Sequence, residues 1–413
     1  MWTEVSWPIS ASNPNPFSYT LNFHTRRLNP FQTTAMKKTI IGLLLLTTLL
    51  AGCDTQKREV TLTVQNSGSV DRENQMVEIP WNNIAEKLGT AVEKSLILVD
   101  ADGKQRPWQL VANGNDTQSI IFPVSLKAGE AQSLRITEGE PDSFEPLVYG
   151  RLVPERKDDF TWENNRSAFR VYGPALKATG EISNGMDFWT KRTEELVIDK
   201  WYRDDLAGVA SYHEDHGEGL DFYKVGRTLG LGMTAPVHND TLCLGDNFVA
   251  AEIIDKGPLR LTFKLTYAPY MAGDKEITES RIISLDAYSL FNKVTHLFES
   301  EQEELTVATG IVIDETVPPV TFGDTGGIIA YETPGNEANG TIYTAVIQPA
   351  GYESVQLFDG HYAGLNSITP GSSYTSYVGG GWSKAGFDNF EEWVTFLKAE
   401  KEKIDQPLTI DIQ

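Results

Sequence analysis

The chain has 413 residues, of which 40% are hydrophobic and 22% are charged. This composition is typical of a globular protein with a sizeable core and excludes a disordered or fibrous one. Lys and Arg total 35 against 57 Asp and Glu, so the formal net charge is −22, which argues against a nucleic-acid partner because such partners need clustered cations. Two cysteines cannot form a disulfide framework, so burial and hydrogen bonds must hold the interior together.

Residues 36–53 have the pattern of a bacterial lipoprotein signal. The segment begins at Met36 with two lysines, continues as an apolar run too short to span a bilayer, and ends in small residues before Cys53. This ending resembles a lipobox, in which cleavage leaves Cys53 as the lipidated N-terminus. We therefore expect a signal peptide at 36–52, a lipid tether at 53–60, and a lipoprotein of a Gram-negative envelope, periplasmic or associated with the outer membrane. A single transmembrane helix is the alternative.

Residues 1–35 precede this signal and carry no targeting pattern, so we interpret them as an over-extended reading frame. Residues 1–52 contain four basic side chains and one acidic one, so the mature chain would carry a formal charge of −25. An acidic surface repels polyanions at long range, so an anionic substrate would require a local cationic pocket.

The mature chain is predicted to be mainly β. Short β-branched segments separated by turn residues indicate a small β-sandwich over 58–140, with strands at 60–64, 96–99, 119–122 and 134–136. The linker is expected at 138–142, followed by a catalytic domain over 141–413.

Within this second domain, residues 259–267 alternate between apolar and polar side chains, as a strand with one buried face does, and 281–298 repeat the signal. Helical spacing of Phe390, Trp393, Val394 and Leu397 predicts one C-terminal helix from about 387 to 402.

Several enzyme classes lose support because their motifs are missing. The sequence has no phosphate-binding Walker loop, no dinucleotide fingerprint, no nucleophile elbow and no Cys-x-x-Cys pair.

Residues 211–227 contain two histidines, four carboxylates, two tyrosines, a lysine and an arginine. A buried strand does not tolerate that density unless the groups are paired or solvated. We predict a strand arriving at His213, a loop to Glu218, and a second strand with Asp221 and Tyr223 on one face and Lys224 on the other. A solvated acidic hairpin is the alternative to a site for proton transfer.

The sequence resembles domain-of-unknown-function family 4861, a group of bacterial glycan-utilisation lipoproteins. The matching segments are 153–174, a strand at 197–202, 212–226, and 379–384. After Arg227 the sequence departs from the family pattern, with fewer glycines over 229–234. The resemblance implies a large β-supersandwich like those of sugar mutarotases and polysaccharide lyases. It also implies similarity to an oligosaccharide dehydratase of ulvan breakdown.

Such a dehydratase removes water from a uronic acid at the non-reducing end and leaves a 4,5-unsaturated sugar. It needs a base for the C5 proton, an acid for the departing O4 hydroxyl, and cations at the carboxylate. For the base we consider His213 or Tyr223, and for the acid His216.

The candidates for the carboxylate clamp are Arg166, Lys224 and Arg227. Trp382 and Lys384 are candidates for contact with a sugar ring. Each clamp residue has an alternative interpretation as a structural ion pair or sheet residue, and Trp382 as a buried core residue.

No cofactor is expected. A metal site formed by His213, His216 and either Asp215 or Glu218 is the weaker alternative, because no second cluster of ligands accompanies it. Two other functions stay open from the sequence: a glycoside hydrolase with paired carboxylates, and a non-catalytic glycan-binding lipoprotein.

Overall fold

The structure is a computed structural model that describes residues 59–89, 95–114 and 118–413. The signal segment, Cys53 and residues 1–35 lie outside the described residues. Among the described helices, none is long and apolar enough to cross a membrane. Helices are α1 Trp81–Leu88, α2 Pro174–Lys177, α3 Ile198–Leu206 and α4 Phe390–Asp405.

The rest of the regular structure is antiparallel β, as predicted. In chain order the strands are β1 Glu59–Gln65, β2 Arg72–Pro80, β3 Leu96–Val99, β4 Gln105–Arg106, β5 Gln109–Val111, β6 Ser119–Leu126, β7 Ala131–Glu138, β8 Val148–Val153, β9 Asp159–Asn164, β10 Ser167–Val171, β11 Asp187–Lys191, β12 Gly219–Asp221, β13 Thr234–His238, β14 Thr241–Leu242, β15 Ala250–Lys256, β16 Arg260–Thr266, β17 Tyr270–Ala272, β18 Lys275–Asp286, β19 Phe291–Glu299, β20 Leu305–Val312, β21 Val320–Asp324, β22 Ile328–Glu332, β23 Ile342–Ile347, β24 Ser354–Phe358, β25 His361–Ile368, β26 Ser373–Trp382 and β27 Thr409–Ile412.

The N-terminal part contains two sheets, β27-β1-β7-β3-β4 and β2-β6-β5, with a hydrophobic core between them. Val60, Leu62 and Val64 of β1 are fully buried and alternate with polar threonines, which is the pattern that predicted this strand. The last strand of the chain, β27, returns to pair with β1. No strand or helix occurs over 139–147, where the linker was expected. The proposed division into two domains stays a prediction.

The larger part is built on a nine-stranded sheet in the order β15-β16-β18-β19-β26-β23-β22-β21, with β17 paired to β18. Two five-stranded sheets accompany it, β14-β13-β20-β25-β24 and β12-β11-β10-β9-β8. The alternation at 259–267 predicted β16, and the segment 281–298 covers most of the β18–β19 hairpin. A core of aromatic and aliphatic side chains contains members of all three sheets.

The predicted C-terminal helix is α4, shifted by three residues towards the C-terminus. Its N-cap is Asn389, whose side chain accepts a hydrogen bond from the Glu392 backbone N–H at 3.0 Å. Trp393 and Leu397 are fully buried, as their spacing indicated, and pack beside Phe291.

Two local predictions are wrong. The segment 197–202 was expected as a strand, but residues from Ile198 onward form α3. Ile198, Trp201 and Tyr202 have i, i+3, i+4 spacing, which places them on one helix face that is buried.

The hairpin predicted around the histidines is also absent, because residues 211–218 form turns and bends and no strand reaches His213. The strand that follows, β12, is only three residues long and ends at Asp221, before Tyr223 and Lys224.

Candidate functional site

The sheet β12-β11-β10-β9-β8 has one apolar and one charged face. In antiparallel pairs, directly opposed side chains point to the same side, and the register places Arg170 opposite both Thr161 and Asp187. Trp189 is opposite both Ala168 and Asp221. The apolar face, which includes Phe160, Trp162, Phe169 and Phe188, belongs to the main core. The other face carries a row of buried polar side chains: Asp159, Thr161, Glu163, Arg170, Asp187, Lys191 and Asp221.

Arg170 is the centre of this charged face. Its Nη2 donates to Asp187 Oδ2 at 2.5 Å and to Asp221 Oδ2 at 2.9 Å, and its Nη1 donates to the Tyr212 hydroxyl at 3.3 Å. The guanidinium also lies 5.3 Å from the centre of the Trp189 ring. Burial, together with the nearby Asp187, raises the pKa of Asp221 well above its usual range. The arginine therefore holds two buried carboxyl groups that compete for one cation.

A second buried pair lies at the end of β11. Lys191 Nζ donates to Glu163 Oε2 and to the Asn164 carbonyl, both at 2.7 Å. The other oxygen of Glu163 accepts from the Ile198 backbone N–H at 2.8 Å. Because a carboxylate at a helix N-terminus satisfies an otherwise unpaired N–H, this pair anchors α3 to the charged face.

Asp159 provides a pH-dependent contribution to stability. It is buried, and that burial raises its pKa to about 6 from 3.8, although Arg170 and the Gly173 N–H oppose the shift. Between about pH 4 and pH 6 the folded protein holds this proton after the unfolded chain has lost it. The free energy of unfolding should therefore fall by about 3 kcal/mol in total as the pH rises through this window. Above the window the contribution of Asp159 no longer changes with pH.

We expect Asp159→Asn to reduce this loss, because asparagine keeps the oxygen that accepts from Gly173 N–H at 3.0 Å but cannot ionise. Urea unfolding at pH 4 and pH 7 measures the change in the free energy of unfolding between the two pH values. Asp142→Asn, which removes an exposed carboxyl group, is the control. An unchanged pH dependence would mean that Asp159 ionises as readily in the folded state as in the unfolded one.

Residues 211–218, here called the histidine loop, cover one end of the charged face. His213 Nδ1 lies 2.9 Å from the Asp221 carbonyl oxygen and 3.6 Å from Asp221 Oδ2. A carbonyl oxygen only accepts, so Nδ1 carries the proton and donates it, and Nε2 keeps its lone pair. The side chain is 53% exposed, and its ring centre lies 4.3 Å from that of Tyr212. His213 thus presents an accessible basic nitrogen in a fixed orientation.

His216 is held in the opposite tautomer. Its Nε2 lies 3.1 Å from the Ser211 carbonyl oxygen, so Nε2 donates and Nδ1 is the nitrogen left free. It lines a shallow cavity of about 220 Å³ between the histidine loop and α3, together with Lys200 and Glu218. Lys200 Nζ and Glu218 Oε1 form an ion pair at 2.6 Å there.

A second cavity, of about 250 Å³, lies beside the end of β11. We call it the arginine cavity, because it is lined by residues that include Arg166, Lys191, Arg192, Glu194, Phe188 and Trp382. Gly379 to Gly381 of β26 allow the close approach of this strand: a Cβ at Gly379 would lie 2.1 Å from the Leu290 carbonyl oxygen.

Arg192 connects the arginine cavity to the histidine loop. Its Nε donates to the Gly217 carbonyl at 3.1 Å, and its Nη2 donates to Asp215 Oδ2 at 2.7 Å. The same guanidinium lies 5.5 Å from the centre of the Trp382 ring. This contact and the cavity-facing position make Arg192 a shared element of the two regions.

The structure brings two of the predicted substrate-binding residues together, since Arg166 and Trp382 line the arginine cavity. Arg166 is exposed and makes no ion pair within the described residues. Trp382 is only 1% exposed, and its Nε1 donates to the Asn339 carbonyl at 2.7 Å. Lys384 lies 5.9 Å from its ring centre, so the two predicted sugar contacts are neighbours, but the buried indole exposes almost no surface to a ligand.

The other predicted residues lie apart from these. Lys224 and Arg227 are exposed on the segment after β12, and Lys224 is near Asp314. Tyr223 is 8% exposed, and its hydroxyl has no hydrogen-bond partner among the described residues. Burial raises the pKa of Tyr223 well above its usual range, which makes it a poor base.

Arg170, Asp187 and Arg192 were missed as site residues. A signal existed for the first two, because Arg170 lies in the middle of the apolar and aromatic segment 168–172, and Asp187 begins the similar segment 187–191. In the described part of the chain, no group of three His, Cys, Asp or Glu side chains could hold a metal ion. The alternative site of His213, His216 and Asp215 or Glu218 is therefore not assembled in this structure.

The structure is that of a mainly β protein with a buried charged face and two exposed histidines beside it. The chain belongs to the family described as Domain of unknown function (DUF4861), whose model matches residues 64–410. It is 29% identical to the Uncharacterized protein P7 of Formosa agariphila over 388 residues. The aligned region covers 89% of this chain and 97% of that protein.

Two solved structures from Enterococcus faecalis show distant similarity to this chain. One is a protein in the Glycosyl Hydrolase Family 38, at a TM-score of 0.42, and the other is an alpha-mannosidase, at 0.38; each is 11% identical and covers 86% of this chain. The chain spans about half the length of these structures, 47% and 46%.

Proposed function

We propose that the protein is a carbohydrate-active lyase, specifically a dehydratase that acts on the non-reducing-end uronic acid of an anionic, ulvan-like oligosaccharide. The observation that carries this proposal is the fixed tautomer of His213. Its Nδ1–H is committed to the Asp221 carbonyl, and Nε2 is left as a half-exposed base. A general base must combine a free lone pair with access to the substrate, and His213 has both.

The proposed reaction balances as an elimination. His213 Nε2 takes the proton from C5, the C5–H electrons form the C4–C5 double bond, and the C4–O4 bond breaks. The hydroxyl at O4 leaves as water once it receives a proton from Nδ1 of His216, the proposed acid, which enters this step as the imidazolium because its Nε2–H stays on the Ser211 carbonyl. The imidazolium formed at His213 keeps its Nδ1–H on the Asp221 carbonyl oxygen at 2.9 Å, and that hydrogen bond becomes stronger as the ring gains charge. Tyr223 is not retained as the base, because it is buried.

The arginine cavity supports the anionic character of the substrate. Charge develops on the C5 carboxylate as the proton leaves, and a cation beside it stabilises the transition state. Arg166 is the cavity cation without a protein ion-pair partner among the described residues, while Arg192 is bound to Asp215. We therefore assign the carboxylate clamp to Arg166 first, with Lys224 and Arg227 as less favoured candidates.

Mass spectrometry of uronic oligosaccharides before and after incubation tests the reaction. Loss of one water with appearance of the short-wavelength ultraviolet absorbance of an unsaturated uronate supports the dehydratase, since elimination creates a conjugated acid. Release of new reducing ends would instead indicate a glycoside hydrolase. Binding with no change in mass would indicate a glycan-binding protein.

Arg166→Gln should impair acidic substrates selectively. We expect kcat/KM on a uronic oligosaccharide to fall by about a hundredfold, the scale of one lost charged contact in the transition state. Binding of a neutral oligosaccharide of equal length should change by less than about threefold, because it develops no such charge. Arg203→Gln, which removes a 67% exposed arginine of α3, is the matched control. Equal losses on both substrates would remove Arg166 from the clamp.

On the sequence alone, we also propose that the protein is anchored through lipidated Cys53 at a Gram-negative cell envelope.

A further inference from the structure

Tyr288 has an unusual backbone conformation for an aromatic residue. It lies in the turn between β18 and β19, where the Ser289 N–H donates to the Asp286 carbonyl, and its φ is +69°. Eight described residues other than glycine have positive φ, and six of these are Asn or Asp. Gly and Asn are the residues that tolerate this conformation, because a larger side chain crowds the backbone. Local turn chemistry therefore does not account for a tyrosine here.

The arginine cavity lies directly beside this turn. The Tyr288 N–H donates to Asn165 Oδ1 at 2.8 Å, and Asn165 is a buried residue that lines the cavity. Leu290, two residues further along the chain, lines the same cavity. Asn165 therefore ties the backbone of this turn, at Tyr288, to the wall of the cavity.

Two charged residues influence the phenol of Tyr288. Partial burial raises the pKa of the phenol, the Glu194 charge adds to this shift, and Arg106 opposes it. Glu194 lines the cavity, whereas Arg106 belongs to β4 of the N-terminal part. The partly exposed ring packs against the main core, and its phenol lies within electrostatic reach of Glu194 in the cavity wall.

We propose that Tyr288 contacts the substrate at a second saccharide subsite, where its ring packs against the sugar next to the uronic acid in the cavity. Strained backbone persists where the surrounding structure enforces it, and such positions concentrate at ligand sites. An aromatic ring with a polar tip suits a sugar, because it offers an apolar face to the C–H groups and a hydroxyl for hydrogen bonding. This inference rests on the proposed function, since it assumes a glycan in the arginine cavity.

The test compares Tyr288→Gly with Tyr288→Phe in a His213→Ala background, which slows the proposed reaction during calorimetric titration. The ligands are a uronic acid monosaccharide and a uronic trisaccharide. Tyr288→Gly should keep or raise the thermal midpoint, because glycine relieves the positive φ. It should weaken trisaccharide binding by roughly tenfold, and monosaccharide binding by less than about twofold. Tyr288→Phe should stay within about threefold for both ligands.

Asn239→Gly is the matched control, since Asn239 also has positive φ, at +49°, but lies in the turn between β13 and β14. It should change neither affinity. Unchanged trisaccharide binding by Tyr288→Gly would mean that Tyr288 is only a turn residue. Equal losses of affinity for both ligands would mean that it contacts the sugar in the cavity itself. Either result overturns the proposed second subsite. If the trisaccharide loss is found but the His213-intact protein produces no dehydrated product, the subsite stands and the dehydratase proposal fails. Failure of the parent protein to bind either ligand overturns both.

Discussion

His213→Ala is expected to lower turnover of a uronic oligosaccharide by about a hundredfold or more and to leave the fold intact. A positioned proton-transfer group contributes on this scale. The side chain is 53% exposed, so its removal creates no large cavity in the core. The rate of dehydration measures the effect, and circular dichroism together with the thermal midpoint reports on folding.

His238→Ala is the matched control, because His238 is an exposed histidine at the end of β13, a strand of a different sheet from the one that carries the charged face. It should keep wild-type activity. A second variant, His213→Gln, offers an amide in place of the imidazole; it can keep a hydrogen bond to the Asp221 carbonyl but cannot act as a base. Full activity in either His213 variant would show that His213 is not the catalytic base and that the histidine loop has a structural role.

Arg170→Met is expected to destabilise the protein by about 3–5 kcal/mol. The arginine is 5% exposed and is bound to both Asp187 and Asp221, so its loss leaves buried carboxyl groups without a cation. Removing one partner of a buried ion pair has this cost because the remaining charge cannot reach water. Urea unfolding measures the change in the free energy of unfolding.

Arg203→Met, in which an exposed arginine pairs only with its neighbour Asp204, should change stability by less than about 0.5 kcal/mol. Adding Asp187→Asn to Arg170→Met should recover part of the loss, since one of the two carboxyl charges is then gone. If Arg170→Met is as mild as Arg203→Met, the two carboxyl groups are neutral in the folded protein and the arginine does not hold them together.

Apolar patterns and the turn residues between them predicted the elements whose apolar side chains are buried. The segments 60–64, 96–99, 119–122 and 134–136 all lie in strands, and Trp393 and Leu397 mark the buried face of α4. This approach failed for short elements whose conformation depends on contacts with residues distant in the sequence. Residues 198–202 form the start of α3 instead of a strand, and its first N–H, at Ile198, donates to the Glu163 carboxylate, 35 positions away in the sequence.

For the candidate site as well, the sequence predicted some features and the tertiary structure was needed for others. The density of ionisable side chains from 211 to 227 singled out His213 and His216 as groups for proton transfer, because such density is tolerated only where the groups are paired or solvated. Which nitrogen of His213 is free depends on the Asp221 carbonyl, whose position follows from the pairing of β12 with β11.

The sequence by itself therefore determined the mainly β class, the C-terminal helix and the segment that carries the histidines, because these follow from local periodicity and composition. Tertiary structure alone decided that Arg170 holds Asp187 and Asp221, that Arg192 connects Asp215 to the wall beside Trp382, and that the Tyr288 N–H donates to Asn165 of the arginine cavity. The physical reason is that hydrogen bonds and ion pairs act over about 3 Å, and only the register of the sheets brings groups from distant strands within that distance.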